Sequence, residues 1–598
     1  MLSNGGIKAA GLLGSEPDVA GRASAGEAPP IAVGITGHRL ERLATVDLAV
    51  LTARLDKVMA QIEAAAPRSL FRLVGSLADG ADMVAADAAL GRGWALDTVL
   101  PFGRDDYARD FDNEGATGLL DLLRASANVL ELPGDRDRPD GEVAAYERAG
   151  RVVLAQSDLL LAVWDGDPPR GRGGAAQIVA EAVAHAIPVL VLNPDEAEAP
   201  VLLWSGLNEH DFGPEAVDTV MRGGLNDLPR LMERLAPAPP AGGERRRPGA
   251  RRGWPLFATA YPLLLAVAGV RRFRLADFRR PRVAARLSDA APVTSTQTRI
   301  DLHLWPQFDD ADCEARRAAQ LFRSAFVSSF ALAALAVTLS LLGLIVPAAV
   351  KPILAAGEFA SIATILAITT WGARAGWHDR WLDQRTLAEE LRCLAVSARL
   401  GDLFLRGARG QNGGASARER CDIARLIGLP SARIDVAYLT ATHESLVALL
   451  DDQIAYVERE AERMRRLEHR LHRVGGALFA ITALVCAAVL GIESAGMFLA
   501  YHSEGRHGLP LGMTVLSASL PAIGAAVYGI RMQGDFAGAA ERNAALAAQL
   551  AQLRKIARED AATFDGLCRL IRRTAELLTA DVSQWVRTTR ARPLSLPG

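Results

Sequence analysis

Cysteine is scarce in this chain and scattered: Cys313, Cys393, Cys421, Cys486 and Cys568 show no paired spacing. That excludes a disulfide framework and a zinc ribbon, and it fits a reducing compartment. Neither sign of charge is in excess, the net charge being -2, which argues against a dedicated nucleic-acid binder. No cysteine cluster or paired-carboxylate constellation stands out, so neither a metal site nor a catalytic acid–base dyad is expected. Residues 1–30 lack an apolar core of signal-peptide length and are rich in Gly, Ala, Ser and Pro, the composition of a disordered tail.

What is present is length and apolar surface. With 598 residues there is room for about three to four domains. Half of the residues are hydrophobic (50%) and mean hydropathy is +0.13, yet 23% are charged. A soluble part joined to a few membrane spans satisfies both figures. The longest charge-free run, Ala325 to Val350, exceeds the about 20 residues that carry a helix across a bilayer core. We therefore expect an α/β Rossmann-like parallel-sheet N-terminal domain followed by an all-α membrane domain with about four transmembrane helices.

From Ile31 onward, short apolar runs end in glycine and are followed by helical periodicity, as parallel strands of an α/β sheet do. The expected strands are Ile31–Ile35, Phe71–Val74, Leu96–Leu100, a weaker one near Val129–Leu132, Leu159–Val163 and Pro188–Leu192. Their tips lie on one edge of the sheet and bring together three loops: Gly37-His38-Arg39; Gly75 to Asp82; and Asp165-Gly166 with the glycine-rich turn Gly171 to Gln177. A glycine turn opening a helix lets the backbone approach a phosphate and offers it free N–H groups. The candidate ligand-binding residues are Gly37, His38, Arg39, Gly75, Ser76, Asp79, Gly80, Asp82, Asp165, Gly171, Gly173, Gly174 and Gln177. For several a plainer role competes: Arg39 solvated, Asp79 and Asp82 capping the next helix, Asp165 shaping its turn.

In order, GITGHR, VGSLADGADMVAADAAL, VLPF and WDGDPPRGRGGAAQIV resemble the SLOG superfamily over about Ile31 to Asn193. Its members include nucleotide phosphoribohydrolases of the LOG type and ligand sensors of bacterial defence systems. The resemblance implies a nucleotide-derived ligand. In the LOG-type enzymes the glycine motif continues into Thr and then a catalytic Glu. Here Ala176 and Gln177 stand there, and Glu181 lies one helical turn on. That departure favours a binding module of residues 31–200 over an enzyme, so no catalytic residue is assigned.

Residues 201–308 read as a linker, with APAPPAGGERRRPGARRG at 236–253. Within it Trp254–Val270 is apolar and flanked by Arg251, Arg252, Arg271, Arg272 and Arg274. Two readings stay open: attachment to an anionic inner leaflet, or a helix packed on the first domain. No aromatic platform accompanies these arginines, so nucleic-acid binding is the lesser option.

The membrane half divides into a first hairpin unit (309–400), a connector (401–442), a second hairpin unit (443–586) and a tail (587–598). Expected spans are 325–350, 352–372, 474–492 and 509–530, each pair preceded by a charged helix and followed by an Ala/Leu-rich one. Trp371, Trp377 and Trp381 suit an interface. The segment between the pairs is rich in arginine and the hairpin loops are not, which places the first domain, this segment and the C-terminus on the cytoplasmic side; with the resemblance to bacterial proteins, this implies a bacterial inner (cytoplasmic) membrane. No span has a central charge, which argues against a proton-coupled transporter. Ala525 and Gly529 have small-xxx-small spacing, for close helix packing.

Hairpins with RWLDQRTLAEELR and a C-terminal Trp585 resemble the SLATT family of bacterial conflict systems over about Phe308 to Val586. That resemblance implies a membrane effector that opens a pore or perturbs the bilayer, and because about four spans per chain cannot enclose a wide pore alone, a homo-oligomer is expected. The combined expectation is a sensor–effector acting in antiviral defence. The alternatives are a membrane-tethered nucleotide phosphoribohydrolase and a constitutive channel or scaffold.

Overall fold

The computed structural model describes residues 28–168, 172–195, 199–208, 215–236, 254–279, 295–403, 415–499, 508–560 and 562–590. The tail at 1–27, the arginine-rich stretch 237–253 and the end at 591–598 lie outside them.

Strands and helices alternate first: β1 (Ile31–Gly37), α1 (Leu48–Ala65), β2 (Phe71–Gly75), α2 (Ala81–Gly91), β3 (Ala95–Leu100), α3 (Arg104–Tyr107), α4 (Asn113–Ala125), β4 (Asn128–Glu131), α5 (Gly141–Gln156), β5 (Leu159–Val163), α6 (Ala175–Ala184) and β6 (Val189–Leu192). The apolar runs become strands as their composition predicts. Helix entries are fixed locally: Asp47 accepts from the Ala49 N–H at 2.8 Å and Asp112 from the Gly115 N–H at 2.7 Å, satisfying first-turn amides.

The segment read as a linker from 201 does more than connect. It adds β7 (Val201–Leu203), β8 (Arg222–Gly223) and α7 (Leu228–Leu235), and both strands pair antiparallel. Strands of 3 and 2 residues are too short to show an alternation in sequence.

There follow α8 (Ala260–Val267), α9 (Ser295–Arg299), α10 (Trp305–Leu342), α11 (Lys351–Ala375), α12 (Trp377–Ser397), α13 (Ala415–Ile427), β9 (Ala432–Arg433), α14 (Val436–Leu499), α15 (Gly508–Gly534), α16 (Phe536–Glu559) and α17 (Phe564–Arg590). Among the described residues four helices are long and apolar enough to cross a membrane, and they are α10, α11, α14 and α15. Only 33% of the apolar window of α10 and 0% of that of α14 is buried, so no soluble layer sheathes them.

The first expected span needs a correction at its end. Helix α10 stops at Leu342, and 343–350 forms the turn into α11. Gly343 weakens the helix there and Pro347 has no N–H to continue it. Hydropathy cannot register that break, because the turn is apolar too. The charged helices expected ahead of the hairpins are continuous with the spans in α10 and α14, the second despite Gly475 and Gly476 at the junction.

A repeat relates the units α10–α11–α12 and α14–α15–α16. Each hairpin leaves through a residue in the left-handed region, Gly376 (φ 58°) or Asp535 (φ 45°), and continues into a buried aromatic, Trp377 or Phe536. Gly529 of α15 lies directly against the Phe330 ring of α10, so the small residue does permit close approach.

Among the described residues the sheet has nine strands in the order β8-β7-β6-β5-β1-β2-β3-β4-β9, parallel from β6 to β9. Parallel strands must be covered on both faces. Ile31, Val33, Leu73 and Leu96 point to one face and pack with α1, α2, α4 and α7. Ala32, Val74, Val99 and Leu130 point to the other. That face is closed by α5 together with the far half of the chain: Leu400, Leu429, Ile434, Leu446, Leu450, Leu550, Leu567 and Ile571 belong to the same core. Burying each such side chain contributes about 1.5–3 kcal/mol. Parting the halves would open a core rather than a surface.

Polar contacts pin the same seam. Arg425 Nε donates to Asp158 Oδ2 at 2.8 Å, with side chains 2% and 0% exposed. Gln156 donates to the Gly401 carbonyl at 2.7 Å, and Arg148 pairs with Asp565 at 2.8 Å. The connector supplies β9 to the sheet edge, pairing Leu130 with Ala432.

Candidate functional site

All the parallel strands deliver their tips to one edge, and the order reverses between β1 and β5, which run on to β2 and β6 on opposite sides. A crevice at such a reversal is where open α/β sheets bind ligands. Here it is filled. His38 is buried, its Nε2 3.1 Å from Asp165 Oδ2 and accepting the Asp165 main-chain N–H at 3.3 Å, while Arg42 reaches the same carboxylate at 2.5 Å. Burial pushes the imidazole below its ordinary value despite Asp165. Asp165 is held below the carboxylate range although burial works against it, because the Asp167 amide, His38 and Arg42 favour its charge.

The first two loops are stitched together. Leu40 N–H donates to the Asp79 carbonyl and Ala81 N–H to the His38 carbonyl, each at 3.1 Å, in a bridge between Arg39 and Gly80. Gly80 sits at φ 111°, and an added Cβ would stand 2.7 Å from the His38 carbonyl oxygen. Gly37 and Gly75 are likewise hemmed in, by Ala81 and Val163 and by Ile35. Packing thus accounts for these three glycines. Gly80→Ala is expected to lose about 1–3 kcal/mol from backbone strain alone. Gly174→Ala, where a Cβ meets nothing within 4 Å, should be close to neutral. Thermal unfolding of the two variants in detergent checks the contrast.

Asp82 occupies the first turn of α2, fully enclosed, and the main-chain amides of Ala78 and Ser76 face its carboxylate. Burial nevertheless raises its pKa to about 7. Asp82 organises the 76–80 loop from inside, and Tyr107 holds the same loop by donating to the Ser76 carbonyl at 3.1 Å. Burial also raises Asp79. Arg39 lies exposed over the Tyr146 ring, 4.5 Å from its centroid, and makes no ion pair among the described residues. Tyr146 donates to Asp110, which Arg136 engages at 2.7 Å. Burial, then Asp110, pushes the Tyr146 phenol to about 12.

The third loop is clamped separately. Gly173 N–H donates to Gln177 Oε1 at 2.7 Å, and Gln177 Nε2 donates to Glu147 and Glu181, both at 2.9 Å. Glu147 is buried and also takes Arg172 and Arg151 at 2.7 Å each. Glu181 stays below the ordinary carboxylate range against the pull of burial, through Arg151 and Gln177. Gly171 lies outside the described residues.

The open space adjoins this third loop. A cleft of about 1310 Å³ runs between α6 and the tips of β5, β6 and β7. Ala176, Ala180 and Leu203 give it an apolar wall; Asp165, Gln177, Asn193, Arg172 and Arg222 are among its polar groups, and the largely buried Trp164 also lines it. An apolar slot with a few placed polar groups is the usual form of a small-molecule site.

Of the sequence candidates, Asp165 and Gln177 line this cleft. His38, Arg39, Gly80, Asp79 and Asp82 form a neighbouring cluster that does not. Tyr146 and Glu147, adjacent on α5, tie the two together, one under Arg39 and the other on Gln177. Neither signals itself in sequence, because α5 reads simply as a helix. Comparison with protein-family models and with curated proteins finds no match for the chain.

Proposed function

We propose that the chain is a membrane-anchored sensor and effector. A nucleotide-derived ligand enters the cleft beside α6, and its binding biases the two hairpins toward an assembly of several chains that perturbs or permeabilises the bilayer. The observation carrying this reading is the shared core: the sheet that bears the cleft is closed on its second face by α14, α16 and α17, which run to or follow the spans. A change at the strand tips therefore has a packed route to the membrane.

The chemistry of the cleft suits such a ligand. Its apolar wall can take a base, Arg222 a phosphate, and Asp165 and Asn193 ribose hydroxyls. Bias arises only from differential affinity for two states. Turning 1:99 into 99:1 needs about 5.5 kcal/mol of it. The arginine distribution supports a bacterial inner membrane with the sheet domain and C-terminus cytoplasmic. The SLOG-like and SLATT-like motifs favour a defence role that ends in growth arrest. A LOG-type hydrolase has less support, since Gln177 is committed to its own loop and Glu181 to Arg151.

Dye-loaded liposomes holding the full chain test this against a panel of linear and cyclic nucleotides. At least one nucleotide should release dye. Ala180 is exposed within the cleft, so Ala180→Trp fills the slot without touching the core and should abolish the response. No ligand-dependent release, or equal release from both proteins, overturns the reading.

A further inference from the structure

We propose that residues 256–279 lie in the interfacial layer of the membrane, their bare apolar side chains among lipid and Arg272 and Arg274 on the phosphates of acidic lipids. This rests on the membrane placement of the hairpins and not on any ligand of the cleft.

Three contacts fix the depth of the segment. Tyr261 N–H donates to Ser324 Oγ at 3.2 Å, and that hydroxyl donates to the Ala258 carbonyl at 2.8 Å, just past Arg323, where the charge-free part of α10 begins. The Phe257 ring packs on Trp371 and Trp377, with centroids 6.0 and 5.6 Å apart, at the end of α11. The Ala268 carbonyl accepts from Arg470 at 2.5 Å, shortly before the charge-free part of α14. A segment that touches the charged or tryptophan-bearing ends of three spans sits at headgroup level.

One side of the segment is buried on those helices through Ala258, Tyr261 and Leu265, not on the first domain. The other side has no cover among the described residues. Leu256 and Val267 are each 81% exposed, Leu275 84%, and Leu263 and Phe278 51% each. Water is a poor neighbour for so many large apolar side chains in one place, whereas the interfacial layer accepts an apolar face rimmed by cations. Arg271 is neutralised by Asp277 at 2.6 Å. Arg272 and Arg274 are exposed and make no ion pair among the described residues. Each such cation near an acidic surface is worth about fivefold in binding.

The full chain is reconstituted into phosphatidylcholine vesicles with or without phosphatidylglycerol, each lipid in turn carrying a photoactivatable headgroup, and adducts are mapped by mass spectrometry. Adducts are expected on 256–279, favouring phosphatidylglycerol, and Arg272→Gln/Arg274→Gln should reduce that preference by about 25-fold. Adducts confined to the spans overturn the proposal. Equal labelling by both lipids in the parent overturns its acidic-lipid half. Labelling of α10 and α14 serves as the control: its loss would fault the membrane placement itself.

Discussion

Arg425→Leu is expected to cost about 3–5 kcal/mol, the usual result of stranding one partner of a buried ion pair. The guanidinium is 2% exposed and holds three groups from distant parts of the chain together: Asp158 at 2.8 Å, the Leu235 carbonyl at 2.6 Å and Asp422 at 3.2 Å. Leucine would leave the Asp158 carboxylate charged and enclosed, with the Ala32 N–H at 3.0 Å as a remaining donor. Removing both charges in Asp158→Ala/Arg425→Leu should lie closer to the parent than Arg425→Leu alone, because much of the loss comes from the unpaired charge and not from the missing bond. Tryptophan-monitored unfolding in detergent reads the cycle. If the single and double variants fall equally, the pair is not what joins the sheet to α13. The same variant bears on signalling, since a loosened seam would let the cleft bind without moving the hairpins.

The strands were legible because fully buried parallel strands leave short, uninterrupted apolar runs, and β5, LLLAV, is such a run. The spans were legible through length and absence of charge, but not the turn at 343–350, which is as apolar as the helices it joins. What covers the second face of the sheet was not legible. Leu446 and Leu450 belong by spacing to any amphipathic helix, and nothing local tells them that Val74 and Val99 are their partners. The site was half legible for a related reason. Glycines at strand tips pointed to the edge of the sheet that the cleft adjoins, yet a glycine required by a neighbouring backbone, as at Gly80, and one that leaves room, as at Gly174, look alike until the fold places their neighbours. Tyr146 and Glu147 were missed because they reach the edge sideways from a helix.

The other large effect is expected at Asp82, and its sign is opposite to that of an ordinary carboxylate. Burial raises this group from 3.8 to about 7, so between those values the folded chain keeps a proton that the unfolded chain has lost. Stability contributed by this group therefore falls as pH rises from about 4 to 7, and above pH 7 the full penalty of an enclosed charge is present. A shift of that size corresponds to about 4 kcal/mol. Asp82→Asn keeps an oxygen for the Ala78 and Ser76 amides and removes the charge. The variant should be more stable than the parent by a few kcal/mol at pH 8, match it near pH 4, and show a flatter profile between. Unfolding midpoints across that range measure it, and a variant weaker than the parent at pH 8 would mean that the carboxylate's hydrogen bonds outweigh its burial. The Ala78 and Ser76 amides favour the charged form and burial opposes it, so the profile measures which of the two dominates beneath the loop stitched to Arg39 and His38.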